Sequence, residues 1–177
     1  MKTFDPQQLK TLIRDIPDYP VKGVIFRDLT PIFRDPIVFR KVIDELYLRT
    51  KDKRIDVVAS IEARGFIVGA PLAIKLNAGF VPLRKKGKLP WKKRGITYQL
   101  EYGLETIEVH EDAVGNGTRV LIVDDLLATG GTASSAAKLL ESMGAEIVGF
   151  AFIVELAYLR GREKLKGYDV ISLVVYE

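Results

Sequence analysis

The chain contains no cysteine and only one histidine, His110, among its 177 residues. The lack of cysteine excludes disulfide bonds and thiolate metal sites, and it fits a reducing compartment. A single histidine effectively excludes metal sites built from several histidines and catalysis by Ser–His or Cys–His pairs. No apolar run reaches the length of a membrane span, and the first residues lack the apolar core of a signal peptide. We therefore expect a cytoplasmic protein that makes no membrane contact.

The rest of the composition is that of an ordinary globular protein. Apolar residues make up 47% of the chain and charged residues 28%. The length is sufficient for one domain with a substantial core. The formal net charge of +4 suits anionic small molecules as well as nucleic acids.

One stretch near the middle of the chain has the pattern of a strand, an acidic pair, a glycine-rich turn and a helix. Val120–Val123 predict a buried strand, which Asp124 and Asp125 are expected to end. Backbone N–H groups at the start of the next helix favour an anion, and glycines let the backbone approach it. The acidic pair can accept hydrogen bonds from sugar hydroxyls or hold water on Mg²⁺. The pattern predicts a sugar-phosphate site, with an ordinary strand–turn–helix unit as the alternative.

Residues 123–132, Val-Asp-Asp-Leu-Leu-Ala-Thr-Gly-Gly-Thr, resemble the 5-phosphoribosyl 1-pyrophosphate (PRPP) motif of type I phosphoribosyltransferases. The Leu-Leu-Ala variant is similar to that of the adenine phosphoribosyltransferase family. The resemblance implies that Asp124 and Asp125 hold the ribose hydroxyls and act in catalysis. It further implies a Mg²⁺ ion, bound through PRPP and water and close to these two residues. The residues implied to bind the 5′-phosphate are Ala128, Thr129, Gly130, Gly131 and Thr132.

A second segment, residues 20–31, is harder to explain as scaffold. Its prolines and glycine predict a loop, and Phe26 beside Arg27 sets an aromatic face next to a hydrogen-bonding group, which suits a flat heterocycle. A loop that plugs the core is the alternative. The segment resembles the adenine-binding segment of the same family. This implies that Phe26 stacks on the base, that Ile25 and Arg27 read its edge, and that Leu156 packs on its other face.

Two further segments carry basic residues. Arg64 follows the predicted strand 55–61, where it could grip a pyrophosphate or form an ion pair with Glu62. Residues 84–94 include seven basic residues and no acid, which predicts a mobile loop, with a solvated loop or a nucleic-acid patch as alternatives. The same resemblance implies that Arg64, Lys85 and Lys88 contact the pyrophosphate. In that family, the loop corresponding to the one around Arg64 often contains a cis peptide bond.

Residues 96–109 predict a two-stranded flap. The sequence Leu-Glu-Tyr-Gly at residues 100–103 resembles the mobile catalytic loop of the family. This implies that Glu101 and Tyr102 fold over the substrates and that Glu101 manages the proton of the base. A closing flap would exclude water, which protects PRPP from hydrolysis. A plain surface carboxylate is the alternative for Glu101.

Buried strands alternate with helices through the middle of the chain. This predicts an α/β fold with a mostly parallel central sheet and helices on both faces, and with sites at the carboxyl ends of the strands. We expect one domain, residues 1–177, with a base-binding hood at residues 1–34 and a mobile flap at residues 84–110.

The resemblance implies that the chain converts adenine and PRPP to AMP and pyrophosphate as a homodimer. Two alternatives stay open. One is a transcriptional regulator that binds PRPP without turnover, and the other is a related transferase that uses another purine base. No nucleic-acid partner is expected.

Overall fold

The structure, a computed structural model, describes residues 5–100 and 103–177. The elements in chain order are a 3-10 helix (Pro6–Thr11), β1 (Arg14–Pro17), β2 (Ile25–Asp28), α1 (Thr30–Arg34), α2 (Pro36–Thr50), β3 (Val57–Ile61), α3 (Gly65–Leu76), β4 (Gly79–Lys85), β5 (Lys93–Leu100), β6 (Gly103–His110), β7 (Arg119–Leu127), α4 (Gly131–Glu141), β8 (Glu146–Leu156), two 3-10 helices (Ala157–Leu159 and Gly161–Leu165) and β9 (Val170–Tyr176). Within these two ranges, no helix is long and apolar enough to cross a membrane.

Seven strands form the central sheet, in the order β5–β6–β4–β3–β7–β8–β9. The five strands from β4 to β9 in this order are parallel, and β5 and β6 form an antiparallel edge. The central strands are apolar on both sides because helices cover both faces. Leu121 and Val123 pack in one core with α2 and α3, whereas Val120 and Ile122 pack in another with α4. The predicted α/β fold is confirmed.

Strand β7 does not end at the acidic pair, contrary to the prediction. Asp124 and Asp125 lie within the strand, which continues to Leu127 because β8 stays paired with it as far as Glu155. On its other side, β7 pairs with β3 only as far as Val123. The carboxylates therefore stand where the sheet opens, at the carboxyl ends of its parallel strands, as expected for a binding site in such a fold.

The N-terminal segment forms its own two-stranded sheet, so Ile25–Asp28, predicted as part of a loop, are a strand instead. Strands β1 and β2 are antiparallel. Asp15 lies directly opposite Arg27 and forms an ion pair with it. Arg14 lies opposite Asp28 and forms a second ion pair, with 3.3 Å between Arg14 Nη1 and Asp28 Oδ2. Opposite charges at facing positions stabilise an antiparallel pair, and this outweighs the loop-forming residues nearby.

The basic segment 84–94 is a loop only in its middle. Its last two residues, Lys93 and Arg94, begin β5, which pairs with β6 along its whole length. Strand β6 joins the central sheet at Arg84, which lies opposite Glu108. The predicted two-stranded flap is thus present as the antiparallel edge of the central sheet, and its mobility stays a prediction.

Candidate functional site

The loop between β7 and α4 forms a cradle of backbone around a small cavity. Gly130 has a φ of +74° and caps α4, and a Cβ at this position would lie 2.3 Å from the carbonyl oxygen of Gly161. Only glycine avoids that clash. The first N–H groups of an α-helix have no partner within the helix, so α4 offers free donors beside this loop. Asp124, residues 126–133 and Phe152 line the cavity, which measures about 90 Å³ and suits a phosphate.

Gly161, to which the sequence analysis gave no role, supports this cradle. A Cβ on Gly161 would lie 2.1 Å from the carbonyl oxygen of Ala128, so the two backbone segments touch directly. The neighbouring Arg162 donates from Nε to Glu155 Oε1 at 2.8 Å, which anchors the turn to β8. The contact joins segments that are distant in sequence, and no local pattern signals it.

The two carboxylates of β7 are held close together in a region shielded from water. Asp125 is 3% exposed, and its backbone N–H donates to Asp124 Oδ1 at 2.8 Å. Burial raises the pKa of Asp124 well above its ordinary value, and the charge of Asp125 adds to this effect. Burial also raises the pKa of Asp125, although Arg64 opposes the change. The pair therefore favours a cation or a hydroxyl donor beside it.

Arg64 contacts Asp125 rather than Glu62, so the ion pair considered for Glu62 is wrong. Arg64 Nε lies 2.8 Å from Asp125 Oδ2 without hydrogen-bond alignment, which leaves Oδ2 a buried acceptor with no hydrogen bond. Glu62 instead accepts from Arg84 Nε at 2.7 Å. The sequence pointed to the nearer carboxylate, but the end of β3 brings Arg64 to the neighbouring strand β7.

A polar cavity of about 410 Å³ lies beside the acidic pair. Its lining includes Arg64 and Lys85, two of the three residues predicted to contact pyrophosphate. Lys85 also forms an ion pair with Glu105. The third residue, Lys88, does not contribute to the lining, and its carbonyl oxygen accepts from Arg84 Nη1 at 3.1 Å. The peptide bond between Glu62 and Ala63, in the same lining, is cis.

Tyr98 is a second residue that the sequence analysis missed. Its hydroxyl donates to Glu105 Oε2 at 3.1 Å and lies 3.2 Å from Thr132 Oγ1 in the phosphate cradle. Burial raises the pKa of Tyr98 to about 12, and the charge of Glu105 adds to the effect. Tyr98 therefore stays protonated across the physiological range. Alternation along β5, with Ile96 and Tyr98 packed against the core, is the sequence signal that points to it.

An apolar cavity of about 510 Å³ lies between the N-terminal sheet and the end of β8. Ile25, Arg27 and Leu156 all line it, as predicted for a base site. The other lining residues are Pro20, Gly23, Val24, Ala128, Thr129, Tyr158 and Leu159. Phe26 does not line it, because alternate side chains of a strand point to opposite faces. The stacking of Phe26 on a base stays a prediction.

The ring of Phe26 faces the polar side of the site instead. The Arg64 guanidinium lies 5.0 Å from the ring centroid, and Tyr19 meets the ring edge-to-face at 5.3 Å. Phe26 therefore contacts Arg64, a residue that is predicted to bind the pyrophosphate. Glu101 and Tyr102, the predicted flap residues, lie outside the described residues.

The three cavities adjoin one another and share residues. Ala128 and Thr129 line both the apolar cavity and the phosphate cradle. Asp124 lines both the phosphate cradle and the polar cavity. The arrangement is a continuous row of an apolar site, a phosphate site and a polar site with basic and acidic side chains. It can hold a molecule that joins a flat apolar ring, a sugar and phosphate groups.

Comparison with known proteins gives this arrangement a family. A family model, the phosphoribosyl transferase domain, matches residues 32–175. An adenine phosphoribosyltransferase from a Thermotoga species is 54% identical over 168 residues, covering 95% of this chain and 99% of the relative.

Solved structures agree with the sequence match. Adenine phosphoribosyltransferase from Thermoanaerobacter pseudethanolicus has a TM-score of 0.94 and 49% identity, with 97% of this chain and 99% of that chain covered. The adenine phosphoribosyltransferase from Saccharomyces cerevisiae, solved with adenine, has a TM-score of 0.89 and 41% identity, with 95% of this chain and 97% of that chain covered. By sequence and by fold, the chain belongs to the phosphoribosyltransferase family, in its adenine phosphoribosyltransferase branch.

Proposed function

We propose that this chain transfers the 5-phosphoribosyl group of PRPP to adenine, giving AMP and pyrophosphate in purine salvage. The observation that carries the proposal is the wall that Ala128 and Thr129 form between the apolar cavity and the phosphate cradle. AMP carries its base and its phosphate on one ribose, so it needs an apolar site and a phosphate site side by side.

The acidic pair takes the ribose in this proposal, and residues 128–132 take the 5′-phosphate. As pyrophosphate leaves the anomeric carbon and the base nitrogen attacks, positive charge builds on the ribose ring. Asp125 is buried and its backbone N–H donates to Asp124 Oδ1, so the two carboxylates are held in place and stabilise that charge with little reorganisation. The hydroxyls of the ribose also supply the hydrogen bond that the buried Asp125 Oδ2 lacks.

The leaving pyrophosphate lies against Arg64 and Lys85 in this arrangement, with Lys88 as a further predicted contact from the neighbouring loop. A Mg²⁺ ion bound to PRPP would lie near the carboxylates of Asp124 and Asp125, both of which line the polar cavity. The described part of the chain contains no group of three or more carboxylate or imidazole side chains that could hold a metal alone. Substrate oxygens and water would therefore complete the coordination. When bound, the ion neutralises charge on the leaving group.

Adenine occupies the apolar cavity in this proposal. Leu156 covers one face of the ring, and the backbone of Ile25 and Arg27 reads its edge. Phe26, on the adjoining face of β2, closes the base site toward Arg64. Glu101 takes part in proton transfer at the base, an assignment that the family resemblance alone supports.

A panel of bases tests the reaction. The protein is incubated with PRPP, Mg²⁺ and adenine, hypoxanthine, guanine or xanthine in turn, and nucleotide and pyrophosphate are quantified. We expect AMP and pyrophosphate in equal amounts, from adenine alone. Product from another base would keep the PRPP site and contradict the base assignment. No product from any base would contradict the proposal as a whole.

Two substitutions separate the subsites. Thr132→Ala should raise KM for PRPP, and Phe26→Ala should raise KM for adenine more than KM for PRPP. Equal effects of both variants on both substrates would mean that the phosphate and base assignments are wrong.

The basic segment 84–94 is the feature that favours the alternative of a PRPP-binding regulator. Three of its basic residues are neutralised by ion pairs, namely Arg84 with Glu62, Lys85 with Glu105 and Lys93 with Glu108. This reduces the charge that the segment offers to DNA. Binding to a DNA duplex that weakens steeply with salt, without turnover, would favour the regulator.

The proposal includes a homodimer and a cytoplasmic location. Exposed apolar side chains on α3 support the dimer: Ile67 is 41% exposed and Ile74 is 83% exposed, one heptad apart on the same side of the helix. Light scattering after gel filtration should give twice the chain mass of 19.8 kDa. Ile74→Glu should then shift the population toward the monomer, and a wild-type protein of single-chain mass would contradict the dimer.

A further inference from the structure

The last strand of the chain ends on an aromatic ring that touches the wall of the apolar cavity. Tyr176 is the final residue of β9 and lies in register with Leu156 at the end of β8. The guanidinium carbon of Arg27 lies 4.0 Å from the centre of the Tyr176 ring. Leu156 and Arg27 both line the apolar cavity. Tyr176 thus pairs with the strand that carries Leu156 and contacts the side chain of Arg27.

The guanidinium of Arg27 contacts this ring and also a carboxylate. Its side chain is 13% exposed and forms an ion pair with Asp15, while its Nε is buried without a hydrogen-bond partner. Burial alone would lower the pKa of Arg27, but the hydrogen bond and charge of Asp15 outweigh it and raise the pKa. The guanidinium therefore stays charged, and a charged guanidinium stacked on an aromatic face is attracted to it.

The ring also connects two separate sheets. Strands β1 and β2 form a two-stranded sheet apart from the seven-stranded one. Their position relative to the central sheet is therefore set by contacts other than a shared ladder. The Arg27–Tyr176 stack is such a contact, and a second is the weak hydrogen bond from Gln7 Nε2 to the carbonyl oxygen of Leu173 at 3.4 Å. Both contacts tie the N-terminal segment to β9.

We propose that Tyr176 is a positioning residue for base binding, which holds Arg27 and the β2 backbone against Leu156 and so sets the width of the apolar cavity. The inference rests on the proposed function, because it takes the apolar cavity as the site of the base. The face of the ring carries the effect, and the hydroxyl does not. Phenylalanine should therefore replace Tyr176, and an aliphatic residue should not.

The test compares two ligands that differ only by the base. Binding of AMP and of ribose 5-phosphate is measured by calorimetry for the wild type, Tyr176→Leu and Tyr176→Phe. We expect Tyr176→Leu to weaken AMP binding about fivefold to tenfold, the size of a cation–π contact that is only partly desolvated, and to leave ribose 5-phosphate within about twofold. Tyr176→Phe should bind both ligands as the wild type does. In steady state, KM for adenine should rise and KM for PRPP should not.

A matched control is Tyr47→Leu. Tyr47 lies on α2, away from the cavity, and carries a similar contact with Lys75 Nζ, 5.2 Å from its ring centroid. This variant should bind both ligands normally. If Tyr176→Leu does not fold, Tyr176→Met, which keeps a long apolar side chain but no aromatic face, should give the same loss, confined to AMP.

Three outcomes would overturn the inference: unchanged AMP binding in Tyr176→Leu, an equal loss for AMP and ribose 5-phosphate, or a Tyr176→Phe variant as weak as Tyr176→Leu. A failure of the proposed function looks different, because the wild type itself would then bind AMP no better than ribose 5-phosphate.

Discussion

The side chains of Asp124 and Asp125 are destabilised when ionised, by burial and, for Asp124, by the charge of its neighbour. Two neighbouring carboxylates share a water-poor position, and burial raises the pKa of both. A group whose pKa is raised in the folded state stabilises the fold when it is protonated, and that contribution is lost as the pH rises through the raised value. The fold therefore loses stability as these carboxyls ionise, and the ionised form is the one that favours positive charge on the ribose ring.

Asp124→Asn tests how the ionised carboxyl of Asp124 affects the stability of the fold. The amide keeps the oxygen that accepts from the Asp125 N–H and removes one buried charge. We expect the variant to be more stable than the wild type by roughly 1–2 kcal/mol at about pH 8, with the difference shrinking toward about pH 5. Turnover should fall at the same time. Denaturant unfolding across this pH range measures it, and a difference that grows as the pH falls would show that the sign is wrong.

Gly161→Ala tests the support behind the phosphate cradle. The new Cβ would lie 2.1 Å from the carbonyl oxygen of Ala128, so the cradle must move. We expect KM for PRPP to rise at least tenfold, by an order-of-magnitude estimate, and stability to fall by about 1–3 kcal/mol. Gly115→Ala is the matched control, since a Cβ there meets nothing within 4 Å. Equal behaviour of the two variants would remove Gly161 from the site.

Tyr98→Phe tests the contact with Thr132. Loss of one hydrogen bond of about 1 kcal/mol should raise KM for PRPP about fivefold and leave KM for adenine unchanged. Tyr168→Phe provides the control, because its hydroxyl also donates to a glutamate, Glu141, at 2.7 Å, and its pKa is also raised to about 12 by burial. A PRPP effect of the same size in the control would mean that the loss is not specific to the site.

Residues with a chemical signature could be identified from the sequence, and residues that act through space could not. Thr132 and Arg64 stand next to glycines, and Asp124 belongs to an acidic pair after an apolar run, so the local pattern itself indicates a site. Gly161 and Tyr98 act on segments far away along the chain. Their roles follow from a backbone approach and a cross-element hydrogen bond; alternation along β5 indicates that Tyr98 faces inward, but not which residue its hydroxyl meets.

Among the elements, helix α2 was predictable and the N-terminal hairpin was not. Asp35 caps α2 by accepting from the N–H groups of Ile37 and Val38, and Pro36 is the first residue of the helix. Adjacent residues therefore predict where α2 begins. Strands β1 and β2 have only four residues each. Their facing ion pairs become visible only when the register is known. The extension of β7 past its carboxylates likewise depends on its neighbour β8.

The junction between β2 and α1 offers a test at this scale. Asp28 is 7% exposed and accepts from the Thr30 N–H and hydroxyl, both at 2.9 Å. Burial alone would raise the pKa of Asp28, but these hydrogen bonds and Arg14 outweigh it and lower the pKa. A carboxyl whose pKa is lowered in the folded state stabilises the fold at any pH above its ordinary pKa. This stabilisation is lost as the pH falls through the lowered pKa.

We expect Asp28→Asn to lower stability by about 1 kcal/mol at neutral pH and to lose its effect in acid. Unfolding followed in steps from about pH 7 down to about pH 2, past the lowered pKa of Asp28, checks both statements. The sign is opposite to that for Asp124→Asn, so the two variants control for each other. A deficit that persists undiminished in acid would contradict the assigned role of the Asp28 charge.

At the scale of the whole molecule, ligand binding should stabilise the fold through the central sheet. PRPP with Mg²⁺ at about 100 times its Kd should add about 2.7 kcal/mol, which for a chain of this size raises Tm by about 5–10 °C. Asp125→Ala should lose most of this shift. Asp52→Ala, which changes an exposed carboxylate just beyond α2, should keep it. Thermal melts with and without ligand give the answer, and a full shift in Asp125→Ala would contradict the ribose assignment.

The separate N-terminal sheet has a consequence for the history of such proteins. Residues that handle phosphate and ribose come from the central strands and α4, whereas much of the apolar wall comes from β2 and the loop before it, outside the central sheet. Inherited substitutions in the hairpin can change which ring is accepted while the transfer chemistry is passed on intact. A lineage can thus acquire a new preference without an inactive ancestor.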